Sequence, residues 1–138
     1  MSSMDIELLV ADQPTAAGNK YPLAVLESIA NAINVKPVTI EELSPIERKA
    51  KGQPICYSWP EHAMATSTRA VVVDGTLRVS FDVKNNKFGK LLMSTMESVG
   101  GQEKLVFMPV GIGDTDSEGV IKPGYAVQYV TFKDAAVK

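Results

Sequence analysis

Cysteine occurs once, at Cys56, and histidine once, at His62, in a chain of 138 residues. A lone cysteine excludes an intrachain disulfide and fits a reducing, intracellular compartment. Together the two residues leave half of a tetrahedral structural zinc shell unfilled. Any Ser–His or Cys–His chemistry must run through His62, because no second histidine serves Ser67 or Ser80. Long apolar runs are missing too, and none approaches the ~20 residues of a membrane-spanning helix. The opening Met1-Ser2-Ser3-Met4-Asp5 lacks a basic segment and precedes only a short apolar stretch, so no signal peptide is expected. Neither sign of charge dominates: 14 basic against 16 acidic residues give −2. The basic residues are scattered, and Arg48, Lys49 and Lys51 form the densest group. This pattern argues against nucleic acid and against an anionic membrane surface as partners.

What is present is ordinary for a globular protein: 45% hydrophobic and 22% charged residues. The length predicts one domain over residues 1–138. Such a chain buries roughly two thirds of the surface its unfolded form exposes, enough for a core without covalent staples. There is no internal repeat and no low-complexity tract.

Ile6 to Val10 reads as a first strand. Pro22 suits a first helical turn, and Leu23, Leu26, Ala30 and Ile33 follow at helical spacing, predicting a helix over 22–34. Thr39-Ile40-Glu41-Glu42 and Ser44-Pro45-Ile46-Glu47 both have the form of a capping box, which predicts one or two short helices between Thr39 and Lys51. Residues 52–65 read as irregular. Arg69–Val73 and Thr76–Val83 flank Asp74-Gly75, the dipeptide of a tight hairpin, so Val72 is expected opposite Leu77 and Ala70 opposite Val79. Phe88, Leu91, Leu92, Met96 and Val99 predict a helix over 87–99, stopped by Gly100-Gly101. Leu105–Val110 and Tyr125–Phe132 are the last strands. Hairpin signals outnumber strand–helix–strand alternation. The fold class expected is therefore α+β, a mainly antiparallel sheet or partly closed barrel flanked by two or three helices.

Few groups of residues suggest chemistry. Asp114-Thr115-Asp116-Ser117-Glu118-Gly119 imitates the start of a calcium loop, but Tyr125 stands where the closing bidentate carboxylate belongs, and no calcium site is expected. Gly111-Ile112-Gly113 lacks the third glycine of a dinucleotide fingerprint and reads as turn geometry. Cys56 and His62 would need a particular loop geometry to act as nucleophile and base, and nothing nearby supplies an orienting group. No cofactor and no metal is expected. Tyr57 and Trp59, in a proline-flanked loop, read equally as interface anchors or as a lid on the core. Tyr125, Tyr129 and Phe132 lie on a nearly uncharged strand, which at a sheet edge would pair with another chain and at the centre would be plain interior.

The order of these pieces resembles the prohead protease family of tailed phages, similar in fold to the herpesvirus capsid protease. Three segments carry the likeness: Gly18-Asn19-Lys20-Tyr21-Pro22 opening a helix; Asp74 to Val83 followed by Gly89-Lys90-Leu91-Leu92; and Val110-Gly111-Ile112-Gly113 with Gly119-Val120 and Tyr125-Ala126-Val127. The resemblance implies a catalytic histidine just before the central hairpin, where this chain has Thr68. It implies a serine nucleophile just before the glycine-rich stretch, where this chain has Phe107-Met108-Pro109. Neither set supports acyl transfer.

From these readings the chain is expected not to be an enzyme and to lack peptidase and esterase activity, with a Cys56/His62 hydrolase as the residual alternative. The expected function is a non-catalytic phage structural protein, a capsid decoration or other head-associated protein. It would associate with itself and with a major capsid protein, in the host cytoplasm during assembly and then in the virion. The alternative is a phage-encoded binding or inhibitor protein engaging a host factor or small ligand.

Overall fold

The computed structural model describes residues 2–15 and 17–136. Its framework is one six-stranded sheet in the order β1-β4-β3-β2-β6-β5. The antiparallel half comprises β1 (Ser3–Val10), β3 (Ala65–Val73) and β4 (Thr76–Val83). Along β4, Leu77, Val79, Phe81 and Val83 are buried while Asp82 is exposed, the alternation of a sheet with one dry face. Asp74 and Gly75 take φ of 52° and 76°, the left-handed pair that a tight hairpin requires. Val72 faces Leu77 and Ala70 faces Val79, the register the sequence predicts. Two bulges interrupt this half. One inserts Leu8 into β1, and Leu8 and Leu9 are both buried; the other inserts Thr68 into β3.

Helix α1 (Leu23–Val35) covers the sheet with Val25, Leu26, Ile29, Ala30 and Ile33. Each fully buried aliphatic side chain here contributes ~1.5–3 kcal/mol. Asn34 fixes its position: its amide donates to the Ala70 carbonyl and accepts from the Ala70 N–H, both at 2.8 Å. Strand β2 is only Thr39–Ile40, antiparallel to β3 and parallel to β6 through Ile40 and Val130. The first predicted capping box is therefore extended chain. The second begins α2 (Pro45–Ala50), but the Ser44 hydroxyl donates to Glu42 at 3.0 Å instead of capping the helix. Helix α3 (Lys87–Val99) is capped by the Asn86 side chain, which accepts from the Phe88 and Gly89 N–H groups, and ends on left-handed Gly100. Gly89 is required where the first turn of α3 packs on the connection after β4, since a Cβ there would lie 1.7 Å from the Lys84 carbonyl oxygen.

The remaining strands are β5 (Leu105–Ile112) and β6 (Ala126–Asp134). Strand β6 lies inside the sheet, between β2 and β5, and Tyr129, Val130 and Thr131 are buried. The edge placement considered for Tyr125–Phe132 is thus corrected: the unpaired edges are β1 and β5. The sheet curls so that these edges approach one another, and the Gln102 amide donates to the Asp5 carbonyl across the gap at 2.8 Å. Among the described residues no backbone ladder joins them, so the sheet stays open.

Candidate functional site

The gap between β1 and β5 opens into a groove of about 600 Å³. Leu8, Leu9 and Val10 form one wall, Val106 to Gly111 the other, and Gln13, Thr15 and Asn19 of the loop after β1 close it above. None of the described residues that line it is charged. At one end Tyr21 and Tyr125 meet edge to face with ring centroids 5.4 Å apart. Burial pushes both hydroxyls above the ordinary phenol value; the neighbouring hydroxyl raises Tyr125 further and draws Tyr21 partly back. Both therefore stay neutral hydroxyls at physiological pH.

The sequence places Tyr125 here through Gly111 and Gly113. A Cβ on Gly111 would lie 2.6 Å from the Tyr125 ring, and one on Gly113 2.7 Å from it. The glycines form the shelf on which this ring lies, which accounts for a Gly-x-Gly pair outside any nucleotide site. The loop bearing Asn19 docks on the loop before Tyr125: Lys20 N–H donates to the Gly119 carbonyl at 3.0 Å and Ile121 N–H to the Lys20 carbonyl at 2.8 Å. Two of the three segments that carry the prohead protease resemblance thus converge at this groove.

A second polar cluster is built on a buried ion pair. Glu41 and Arg48 are 0% and 1% exposed and joined at 2.9 Å. The Glu41 carboxylate also accepts from the Thr39 and Ser58 hydroxyls and from Trp59 N–H. Arg48 donates to the Tyr57 carbonyl at 2.9 Å and lies over the Tyr129 ring, 4.6 Å from its centroid. Every acceptor site of the carboxylate is engaged, so the cluster ties the irregular 53–59 segment to β2 and α2. Sequence spacing hid it, because Glu41, Arg48, Ser58 and Tyr129 come from four separate segments.

The aromatic residues proposed from sequence as contacts separate in the structure. Tyr57 is 49% exposed. Trp59 is half-buried, stacked on His62 at 3.7 Å, with Phe88 4.6 Å from the imidazole on the other side. Phe132 packs on Phe107 and Tyr125 on the glycine shelf. Tyr129 is fully buried and its hydroxyl donates to the Ile55 carbonyl at 2.7 Å; as an interface residue it is corrected to a core residue. His62 has Glu47 at 3.9 Å, whereas Cys56 lies towards Tyr129, and among the described residues no hydrogen bond joins Cys56 to His62. Asp116 accepts from Glu118 and Val120 N–H at 2.8 and 3.0 Å, and these bonds hold its carboxyl below the usual range.

Thr68 and the Phe107-Met108-Pro109 run occupy different parts of the sheet. Thr68 is the exposed bulge residue of β3, donating to the Ser80 carbonyl at 3.3 Å. Phe107 to Pro109 form the β5 wall of the groove, which does not include Thr68. Ser67, beside the bulge, is buried and accepts from Val38 N–H at 2.8 Å, a structural role.

No family model matches the sequence. No curated protein matches it either. The structure does match a solved one. The bacteriophage T4 capsid assembly protease, gp21, superposes with a TM-score of 0.69 at 16% identity, over 94% of this chain and 79% of that one. The expectation that the chain is not an enzyme is corrected by this finding, because the matching fold is that of an enzyme. That expectation rests on Thr68 and Phe107-Met108-Pro109 standing where the resemblance implies a histidine and a serine, but a fold hosts its chemistry at positions that short motifs do not fix. At this identity the likeness extends to fold: this chain takes the fold of a phage capsid assembly protease.

Proposed function

We propose that this chain is a head-associated protein of a tailed phage, acting in capsid assembly through contacts with its own copies and with a major capsid protein. The observation that carries the reading is the shared fold, which runs over nearly the whole chain and belongs to a protein of capsid assembly. Exposed apolar side chains support it. Ile46 is 88% exposed on α2, with Leu43, Ile55 and Tyr57 at 40%, 45% and 49% in the adjoining segments, more than a lone surface aliphatic explains. The site of action is the host cytoplasm during assembly and then the virion. The test is co-sedimentation of the purified protein with proheads and with mature capsids of the phage that encodes it. Saturable binding to either, lost on Ile46→Asp with Tyr57→Ser, is expected. Absence of binding to both particles overturns the reading.

A further inference from the structure

We propose that the cleft between β2 and β6 binds a small, elongated molecule with an apolar body, a hydrogen-bond donor at its inner end and a carboxylate at the mouth. The parallel register of these two strands is a single pair, Ile40 with Val130. Upstream of it the chains pair no further, and residues 36–39 and 125–128 line a cavity of about 530 Å³ together with the last turns of α1. That volume falls in the range of small-molecule sites. Ile29, Ile33, Val38 and Val127 supply apolar wall.

The buried ion pair sets the chemistry of the inner end. Thr39 and Ser58 line the cavity, are half-buried, and both donate their hydroxyl protons to one oxygen of Glu41, Oε2. A carboxylate paired with a guanidinium only accepts, so each hydroxyl has its proton committed and turns lone pairs alone to the cavity. Two oxygens that share one partner atom stand close together, within reach of a single ligand O–H or N–H. A ligand that brings only acceptors leaves these lone pairs unmatched and is rejected.

Lys36 sets the outer end. It is the single charged residue among those described that line the cavity, it is exposed, and among the described residues no carboxylate pairs with it. It also closes the C-terminal end of α1, whose carbonyl pole alone disfavours an anion; the full charge of the ammonium outweighs that partial charge. Lys36 and Thr39 are three residues apart, at most ~10 Å along extended chain, which sets the length of the ligand. The inference rests on this cavity and not on the capsid reading.

The experiment titrates the isotope-labelled full chain with para-hydroxyphenylacetate and follows the amide shifts. Two comparison probes each change one end: para-methoxyphenylacetate has no donor, and tyramine carries an ammonium in place of the carboxylate. Saturable shifts at the Lys36, Val127 and Gln128 amides are expected, with the first probe at least about tenfold tighter than either comparison. Ala32→Phe fills the cavity from an exposed position of α1 and should abolish binding with Tm unchanged. Lys36→Gln should remove the preference over tyramine and keep the preference over the methyl ether. Equal affinity for the first probe and either comparison overturns the proposal. So does the lack of saturable binding below about a millimolar, shifts confined to other surfaces, or binding that survives Ala32→Phe.

Discussion

At the scale of single residues, the buried Glu41–Arg48 pair is the most demanding feature. A charge pair at 0% and 1% exposure is tolerable because Thr39, Ser58 and Trp59 fill the carboxylate and the Tyr57 carbonyl and Tyr129 ring engage the guanidinium, which still leaves Arg48 Nε buried without a partner among the described residues. Arg48→Ala leaves a buried carboxylate without its cation and should lower the unfolding free energy by ~3–5 kcal/mol, read by urea denaturation. The double variant Glu41→Leu, Arg48→Met removes both charges and should be more stable than Arg48→Ala alone. A second residue-scale expectation concerns pH. Asp116 is held below the ordinary carboxylate value by the Val120 and Glu118 N–H groups. A depressed folded-state value means its contribution is present above the unfolded value and is lost as pH falls through the folded one. Asp116→Ala should therefore reduce protection of the Val120 amide at neutral pH. The gap from the parent protein should narrow below pH ~3.9, as the carboxyl takes up its proton.

At the scale of elements, glycine marks where backbones approach most closely. Gly89→Ala drives a Cβ into the Lys84 carbonyl oxygen, a backbone atom that cannot swing aside, so the first turn of α3 must shift away from the connection after β4. A loss of ~1–3 kcal/mol is expected, visible as a fall in Tm. Gly111→Ala meets the Ala126 carbonyl oxygen at 2.5 Å as well as the Tyr125 ring and should both destabilise and expose that ring, read from tyrosine fluorescence. Elements with strong local signals were legible in sequence: the Asp74-Gly75 hairpin with its register, and the two long helices to within a residue or so of their ends. Thr39–Ile40 was not, because a two-residue strand has no periodicity and its Thr-x-x-Glu spacing imitates a cap that the fold spends on the buried cluster. The interior position of β6 was equally hidden. A neutral apolar strand reads the same at an edge or at the centre, and only its partner β2 decides.

For the whole molecule, the groove could not be read from sequence, since its walls come from opposite ends of the chain and meet only through the curl of the sheet. The prohead protease resemblance was legible as an order of segments, and the fold bears it out. Its chemical consequence was not legible, because Thr68 and Phe107-Met108-Pro109 at two motif positions do not exclude an enzyme on this fold. Self-association is the first expectation at this scale. Light scattering coupled to size exclusion at micromolar concentration should give a mass above that of one chain, falling on dilution or on Ile46→Asp. The central claim, a role in capsid assembly, is tested most directly by quantitative peptide mass spectrometry of proheads and virions purified from the encoding phage. Capsid function calls for this chain in both or either particle at a fixed ratio to the major capsid protein. Its absence from both, with the protein abundant in the surrounding lysate, would contradict the claim.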